Sequence, residues 1–241
     1  MDVLLFLNGV LLSRIVYMFN DERLPLRTLM IVGVFQVMLT LLVFSISWPS
    51  AVIAALLAII LLSTESWLPG DWLNECRFTG FLVILFVTIA LQDRLLPAPW
   101  VEAGLTWLAN DHFNTGDVSG KLRTGLWFLL GFLLVANEAN LVVRSLFHRF
   151  GLAPKTEGKE IDQEEYNAGR IIGILERWLM YSVLFVSQNV NVIALIIAAK
   201  GFARFRQMDE RPFAEYVLIG TLASTLLTMI VTQIILSLRS L

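Results

Sequence analysis

Residues 28–48 read TLMIVGVFQVMLTLLVFSISW, a run without a charged side chain that is long enough to cross a bilayer as one helix. Similar apolar runs recur along the chain, at about 3–19, 28–48, 50–65, 78–96, 122–143, 169–187, 192–208 and 213–238. All seven prolines fall between these runs. Because proline interrupts the hydrogen-bond ladder that a helix needs in lipid, their placement supports the same boundaries. The sequence therefore predicts an all-α, polytopic transmembrane helix bundle of about eight passes, or seven if the short third run does not cross.

The composition agrees with a membrane protein and argues against several functional classes. Charged residues make up 16% of the chain and hydrophobic residues 57%, whereas soluble domains carry about 25% and about 45–50%. One cysteine and two histidines leave little for disulfides or metal centres. The net charge of −2 gives no electrostatic reason to expect a nucleic-acid partner. Since the sequence has no zinc-protease, nucleophile-elbow or phosphate-loop motif, we expect a non-enzymatic protein without a cofactor.

The distribution of basic residues predicts the orientation of the chain. One set of alternate connections holds most of the Lys and Arg residues, and such connections stay in the cytoplasm. Both termini are then outside. The predicted organisation is an N-terminal set of transmembrane helices (1–96), an external interfacial loop (97–121) and a C-terminal set (122–241) with a cytoplasmic linker at 144–168. We expect the external loop to begin with a short helix that lies on the membrane surface.

Several charged residues fall inside the predicted C-terminal helices at a similar depth. Ionisable side chains within membrane helices are costly, so they usually face other helices or water and are candidates for function. The sixth and seventh helices form an antiparallel hairpin that turns near Asn189, which places Glu176 level with the interval between Lys200 and Arg204. We therefore expect an ion pair between Glu176 and one of these cations. The predicted inner-leaflet cluster comprises Glu138, Arg170, Glu176, Arg177, Lys200, Arg204 and Glu215.

The sequence leaves two functions of this cluster open. Either the charges lock the helices together, or they form a solute or ion vestibule or a contact that switches. In the switching hypothesis, Glu138 or Glu215 competes with Glu176 for the cations. We favour a scaffold or sensing subunit, and the alternative is a small-solute or ion transporter or channel. Besides the lipid bilayer, the charged inner connections suit a protein partner on the cytoplasmic face, and self-association is equally open.

Small residues at intervals of four predict where the C-terminal helices pack closely. Gly169 and Gly173 share one helix face, and Gly220 and Ser224 share another. Such spacing lets two backbones approach each other in a membrane. The pattern is common, so it indicates which faces touch rather than what the protein does.

The C-terminal third of the sequence resembles a known family. Residues 169–177 read GRIIGILER, residues 199–205 read AKGFARF and residues 214–221 read AEYVLIGT. Over about residues 169–235, the spacing of these charges and glycines resembles a bacterial membrane family described as domain of unknown function 3307. The resemblance implies a multi-pass protein of the bacterial inner membrane and implies no reaction. Members of that family often carry a His-Leu-Leu-Ala-Asp-like motif in the first helix, where this chain reads LNGVLLSR at 7–14, so an activity that needs that His and Asp is in doubt here.

Overall fold

A computed structural model describes residues 1–67, 70–109, 118–151, 163–203, 205 and 211–240. Over these ranges the ordered elements are helices, and the β-type contact is an isolated bridge between Phe44 and Pro97. The chain divides into two compact units, Met1–Leu133 and Leu134–Leu241. The boundary between them falls inside a helix, beyond the loop 97–121 at which the sequence suggests a division.

In its described residues the first unit has seven α-helices, the last of which crosses the boundary of the unit. Helix α3 packs against both α1 and α4, and α4 packs against α5. Arg14 and Ile15 form a turn between α1 and α2, so the first apolar run bends near its end. The helices are α1 (Asp2–Ser13), α2 (Val16–Phe19), α3 (Leu26–Val43), α4 (Trp48–Ser66), α5 (Leu73–Ala90), α6 (Pro99–Ala109) and α7 (Val118–Ala136).

Four further α-helices make up the described part of the second unit. Helix α9 packs against α11 and α10, and α11 also packs against α8. Asn189 lies in the turn between α9 and α10, where its side chain accepts a hydrogen bond from the Asn191 N–H at 3.0 Å. The predicted hairpin is therefore confirmed. The helices are α8 (Glu138–Arg149), α9 (Gln163–Ser187), α10 (Asn191–Ala203) and α11 (Arg211–Ser240).

Six stretches of the described chain are long and apolar enough to cross a membrane. They are Asp2–Phe19, Leu26–Val43, Trp48–Ser66, Gly70–Ala90, Val118–Arg149 and Phe213–Ser240. The third apolar run, short in the sequence, forms the 19-residue helix α4 and is among the six. Helix α10 has only 13 residues, and the apolar part of α9 is interrupted by charged side chains. The helical, membrane-type fold is confirmed, and the count of about eight passes stays a prediction.

Helix α3 ends five residues before the predicted boundary at Trp48, for a reason that the local contacts explain. The carbonyl groups in the last turn of a helix need partners from outside it. Here the Ala98 N–H donates to Val43 O at 2.9 Å, and Trp100 Nε1 donates to Leu42 O at 2.6 Å. The chain around Pro97 thus provides hydrogen-bond donors for the last carbonyl groups of α3. It also leads into α6, the short helix that the sequence predicts in the external loop.

Candidate functional site

Glu176 and Lys200 form an ion pair that joins α9 to α10. Lys200 Nζ donates to Glu176 Oε2 at 2.6 Å. The two side chains are 14% and 16% exposed, so the pair is partly accessible from outside the protein. The sequence predicts this contact because counting equal numbers of residues on both sides of Asn189 places Glu176 level with the interval between Lys200 and Arg204. Arg204, the other cation predicted at this level, lies outside the described residues.

Arg177 follows Glu176 in sequence but points into the second unit. It is 3% exposed. Its Nε donates to Val135 O at 2.8 Å, its Nη1 to Ser224 Oγ at 3.3 Å and its Nη2 to Asn140 Oδ1 at 3.2 Å. Val135 is in the last turn of α7, where the helix is interrupted at Asn137, so Arg177 binds a carbonyl group at a helix end. The predicted run 122–143 is therefore two helices, α7 and α8, with an arginine attached to the junction.

The remaining members of the predicted cluster lie in different surroundings. Glu138 is in the first turn of α8 and is 3% exposed, and Arg170 is half-buried on α9. Glu215 accepts a hydrogen bond from Arg211 Nε at 2.8 Å, at the exposed start of α11. This hydrogen bond raises the pKa of Arg211. In the structure Glu215 is engaged with Arg211 rather than with the Glu176–Lys200 pair.

Two of the predicted small residues lie against specific side chains. A Cβ atom on Gly220 would lie 2.6 Å from Phe147 Cζ, and the Phe147 ring lies with its centroid 4.7 Å from that of Tyr216. A Cβ atom on Gly173 would lie 3.7 Å from Arg177 Nη1 and would meet nothing else within 4 Å. Gly220 therefore allows close packing between α11 and α8, whereas Gly173 leaves room beside a guanidinium group.

The first unit contains an ion pair that the sequence reading missed. Arg77 Nε and Nη2 donate to the two carboxylate oxygens of Glu65 at 2.8 and 3.0 Å, and the side chains are 0% and 1% exposed. Arg77 also donates to Asn20 O and Glu22 O, while the Leu24 N–H donates to Glu65 Oε2. The pair thus fixes the connection 20–24 to α4 and α5. Both residues are equally spaced about residue 71, so the pivot argument that found Glu176 and Lys200 applies here too.

A small cavity with both apolar and polar lining lies beside this pair. Arg14 Nη2 donates to Arg77 O at 2.7 Å, and both guanidinium groups lie over the Tyr17 ring, at 5.0 and 4.4 Å. The cavity measures about 20 Å³, and its polar lining consists of Arg14, Tyr17, Gln36, Thr64 and Arg77. A space of that size holds about one water molecule.

Comparison with known proteins adds no functional information. No family model matches the chain, and no curated protein or solved structure is significantly similar to it. Among the described residues, no group of three or more His, Cys, Asp or Glu side chains is arranged to hold a metal ion. The contacts of the buried and half-buried charges are therefore the basis for inferring a function.

Proposed function

We propose that the protein is a non-enzymatic membrane subunit, a scaffold or sensor, in which the Glu176–Lys200 ion pair is a contact that opens and closes. The observation that carries this proposal is the partial exposure of both side chains. In this proposal the exposed part of the pair faces the cytoplasm, and ion pairs that water can reach contribute little net stability, because the solvent screens the attraction and competes for both charges. A modest input of free energy is then enough to change the population of the closed state.

The packing of α10 explains why opening this ion pair changes the contact between α9 and α10. Helix α10 packs against α9 through Ile193, which belongs to a small buried cluster with Met180 and Leu184. That cluster lies near the Asn189 turn, whereas Lys200 is at the far end of α10. With the pair broken, the end of α10 that carries Lys200 loses a direct contact with α9. A partner or ligand that takes one of the two charges is a suitable signal.

Glu65 and Arg77 provide the contrast that supports this assignment. Their ion pair is bidentate and buried. Its two side chains also form hydrogen bonds with three backbone groups. Breaking a buried pair leaves an uncompensated charge inside the protein, which is strongly unfavourable. We assign the Glu65–Arg77 pair to structure and the Glu176–Lys200 pair to switching.

The proposal includes a location and a topology. The resemblance over residues 169–235 supports a bacterial inner-membrane protein of the family described as domain of unknown function 3307. The basic connections support both termini outside, eight passes that include α9 and α10, and a partner on the cytoplasmic face. Alkaline phosphatase fused after Leu241 is then active, because that enzyme folds only outside the cytoplasm. A fluorescent green fluorescent protein fusion at the same place contradicts this topology.

The switching proposal is tested by measuring the distance between α9 and α10. Cys76 is the single cysteine, so Cys76→Ser gives a background in which spin labels are placed at Leu175 and Phe202, which are 52% and 82% exposed. We expect Glu176→Gln to widen the distribution of distances between the labels. The matched control is Glu215→Gln, which removes an exposed ion pair elsewhere and is expected to leave the distribution unchanged. Identical distributions for wild type and Glu176→Gln contradict the proposal.

A transporter or channel is the second candidate, because a small cavity in the first unit is lined in part by polar side chains, among them Arg14 and Arg77. A cavity for one water is too small for an organic solute, so this candidate concerns protons or small ions. Reconstitution in liposomes that contain an ion-sensitive dye separates the two functions. The scaffold or sensor leaves the bilayer sealed, whereas ion flux that disappears in Glu176→Gln assigns the protein to conduction.

A further inference from the structure

Arg177 carries a buried positive charge whose hydrogen-bond partners within the protein are all neutral. Val135 O, Ser224 Oγ and Asn140 Oδ1 accept from its three nitrogens, and no carboxylate of the described residues lies within ion-pair distance of it. The neighbouring Glu176 pairs with Lys200 instead. Buried charges in proteins are normally paired, so a cation with neutral partners points to a missing anion.

Asn140 provides a second and independent indication of a missing acceptor. A guanidinium group has only donors, so Asn140 must turn its Oδ1 toward Arg177 and its Nδ2 to the other side. Asn140 is 6% exposed, and its Nδ2 has no hydrogen-bond partner among the described residues. Arg177 Nη1 and Nη2 each make one hydrogen bond and so each keep a second N–H group. Donors on α8 and α9 therefore remain without an acceptor among the described residues.

Gly173 gives access to this group of donors. It precedes Arg177 by one turn of α9, so both residues lie on the same face of the helix. Gly173 is half-buried, and the space that a Cβ atom would occupy is bordered only by Arg177 Nη1. Gly169 continues the same face by a further turn toward the start of α9. Glycine at residue 173 thus places no side-chain atom beside Arg177 Nη1 on this face of α9.

We propose that Arg177 and Asn140 bind a phosphate-type oxyanion that enters past Gly173. Guanidinium groups pair with phosphate oxygens through short, charge-assisted hydrogen bonds, and an amide N–H adds a further donor. Two sources supply this chemistry, the headgroup of an anionic phospholipid and free phosphate. The position of both Gly173 and Arg177 within the predicted membrane span 169–187 favours the lipid. The site is separate from the Glu176–Lys200 contact and does not depend on the switching proposal.

Thermal unfolding of the full chain in an uncharged detergent tests this proposal. Short-chain phosphatidylglycerol, inorganic phosphate and chloride are compared at equal ionic strength. We expect the phosphate-containing ligand to raise Tm by on the order of 5 °C at about 100 times its Kd, because it binds the folded state alone. A rise with the lipid only identifies a headgroup site, and a rise with inorganic phosphate as well identifies a free-anion site. Equal Tm values in all three solutions overturn the proposal.

Gly173→Ala is the decisive variant, because it changes access to Arg177 without removing any contact. At 3.7 Å from Nη1, the added methyl group fits at ordinary van der Waals distance and covers the guanidinium. Tm without ligand is expected to stay equal or to rise, since alanine favours a helix over glycine, and the ligand-induced rise in Tm is expected to be lost. The matched control is Gly125→Ala, which adds a methyl group in open space on α7 and keeps the full rise.

Asn140→Leu removes the unpartnered donor and is expected to reduce the ligand-induced rise. If this variant does not fold, Gly173→Ala decides the question by itself. A full ligand-induced rise in Gly173→Ala means that the anion binds elsewhere and contradicts the assignment to Arg177.

Discussion

Glu65 and Arg77 face each other across the connection between α4 and α5, with Nε–Oε1 and Nη2–Oε2 distances of 2.8 and 3.0 Å and almost no exposed side-chain surface. Both partners also hold the connection that leads into α3, through the carbonyls of Asn20 and Glu22 and the N–H of Leu24. The pair therefore connects three helix ends. We therefore expect removal of this ion pair to affect the fold of the first unit rather than a single surface contact.

We expect Glu65→Gln to destabilise the protein by about 3–5 kcal/mol, because it leaves the Arg77 charge buried without its counter-ion. The loss is measured by chemical unfolding in detergent micelles. Glu65→Leu combined with Arg77→Met is expected to lose less than Glu65→Gln, because neither charge is then buried alone. The control is Glu215→Gln, which is expected to change stability by less than about 0.5 kcal/mol, as an exposed site. A loss in Glu65→Gln no larger than in Glu215→Gln contradicts the structural role.

The Glu176–Lys200 contact is expected to show coupling in a double-mutant cycle. Glu176→Gln and Lys200→Met each remove one charge, and the double variant is expected to be more stable than the sum of the two losses predicts. The coupling energy of residues in direct contact is roughly 0.5–3 kcal/mol, and partial exposure places this pair toward the lower end. Arg211→Gln with Glu215→Gln is the matched cycle on an exposed pair, for which we expect no measurable coupling. Strictly additive losses at Glu176 and Lys200 speak against the pairing.

The sequence predicts contacts that depend on the spacing of residues along the chain. It does not predict contacts that depend on how each helix is rotated about its own axis. The α9–α10 hairpin and the Glu176–Lys200 contact follow from counting residues on both sides of Asn189. The same count about residue 71 relates Glu65 to Arg77. In the predicted segmentation, however, Glu65 ends one span and Arg77 lies in the connection before the next, so no buried ion pair is predicted. Apolar runs that lack a strong polar face do not reveal which side of each helix faces its neighbours, so spacing alone does not identify buried partners.

Arg177 illustrates this limit. The sequence predicts Arg177 at the same depth as Glu176, its neighbour in the chain. Its partners are a carbonyl group at the α7–α8 junction and side chains on α8 and α11. No proline or glycine marks the interruption of the helix at Asn137. The sequence therefore does not predict a helix end at which the Val135 carbonyl group binds Arg177.

Trp100 is expected to stabilise the end of α3 through its hydrogen bond to Leu42 O. Trp100→Phe keeps an aromatic ring at this position but removes the Nε1 donor, which lies 2.6 Å from that oxygen. We expect a loss of about 0.5–1.5 kcal/mol, the net contribution of one such hydrogen bond. Chemical unfolding measures this loss. Trp67→Phe is the control, because Trp67 is 87% exposed. Equal stability of the two variants argues against a stabilising role for the Trp100 hydrogen bond.

Gly220 is expected to be intolerant of a larger side chain, because α11 and α8 approach each other there. In Gly220→Ala the added methyl group would lie 2.6 Å from Phe147 Cζ, too close for two carbon atoms, so the ring or the helices must shift. We expect a loss of about 1–3 kcal/mol in unfolding free energy, as for other overpacked sites. Gly125→Ala serves as the matched control, since its methyl group meets nothing within 4 Å. Adding Phe147→Leu to Gly220→Ala should recover part of the loss by giving the methyl group room. If Gly220→Ala is instead as stable as Gly125→Ala, the two helices do not pack closely at this glycine.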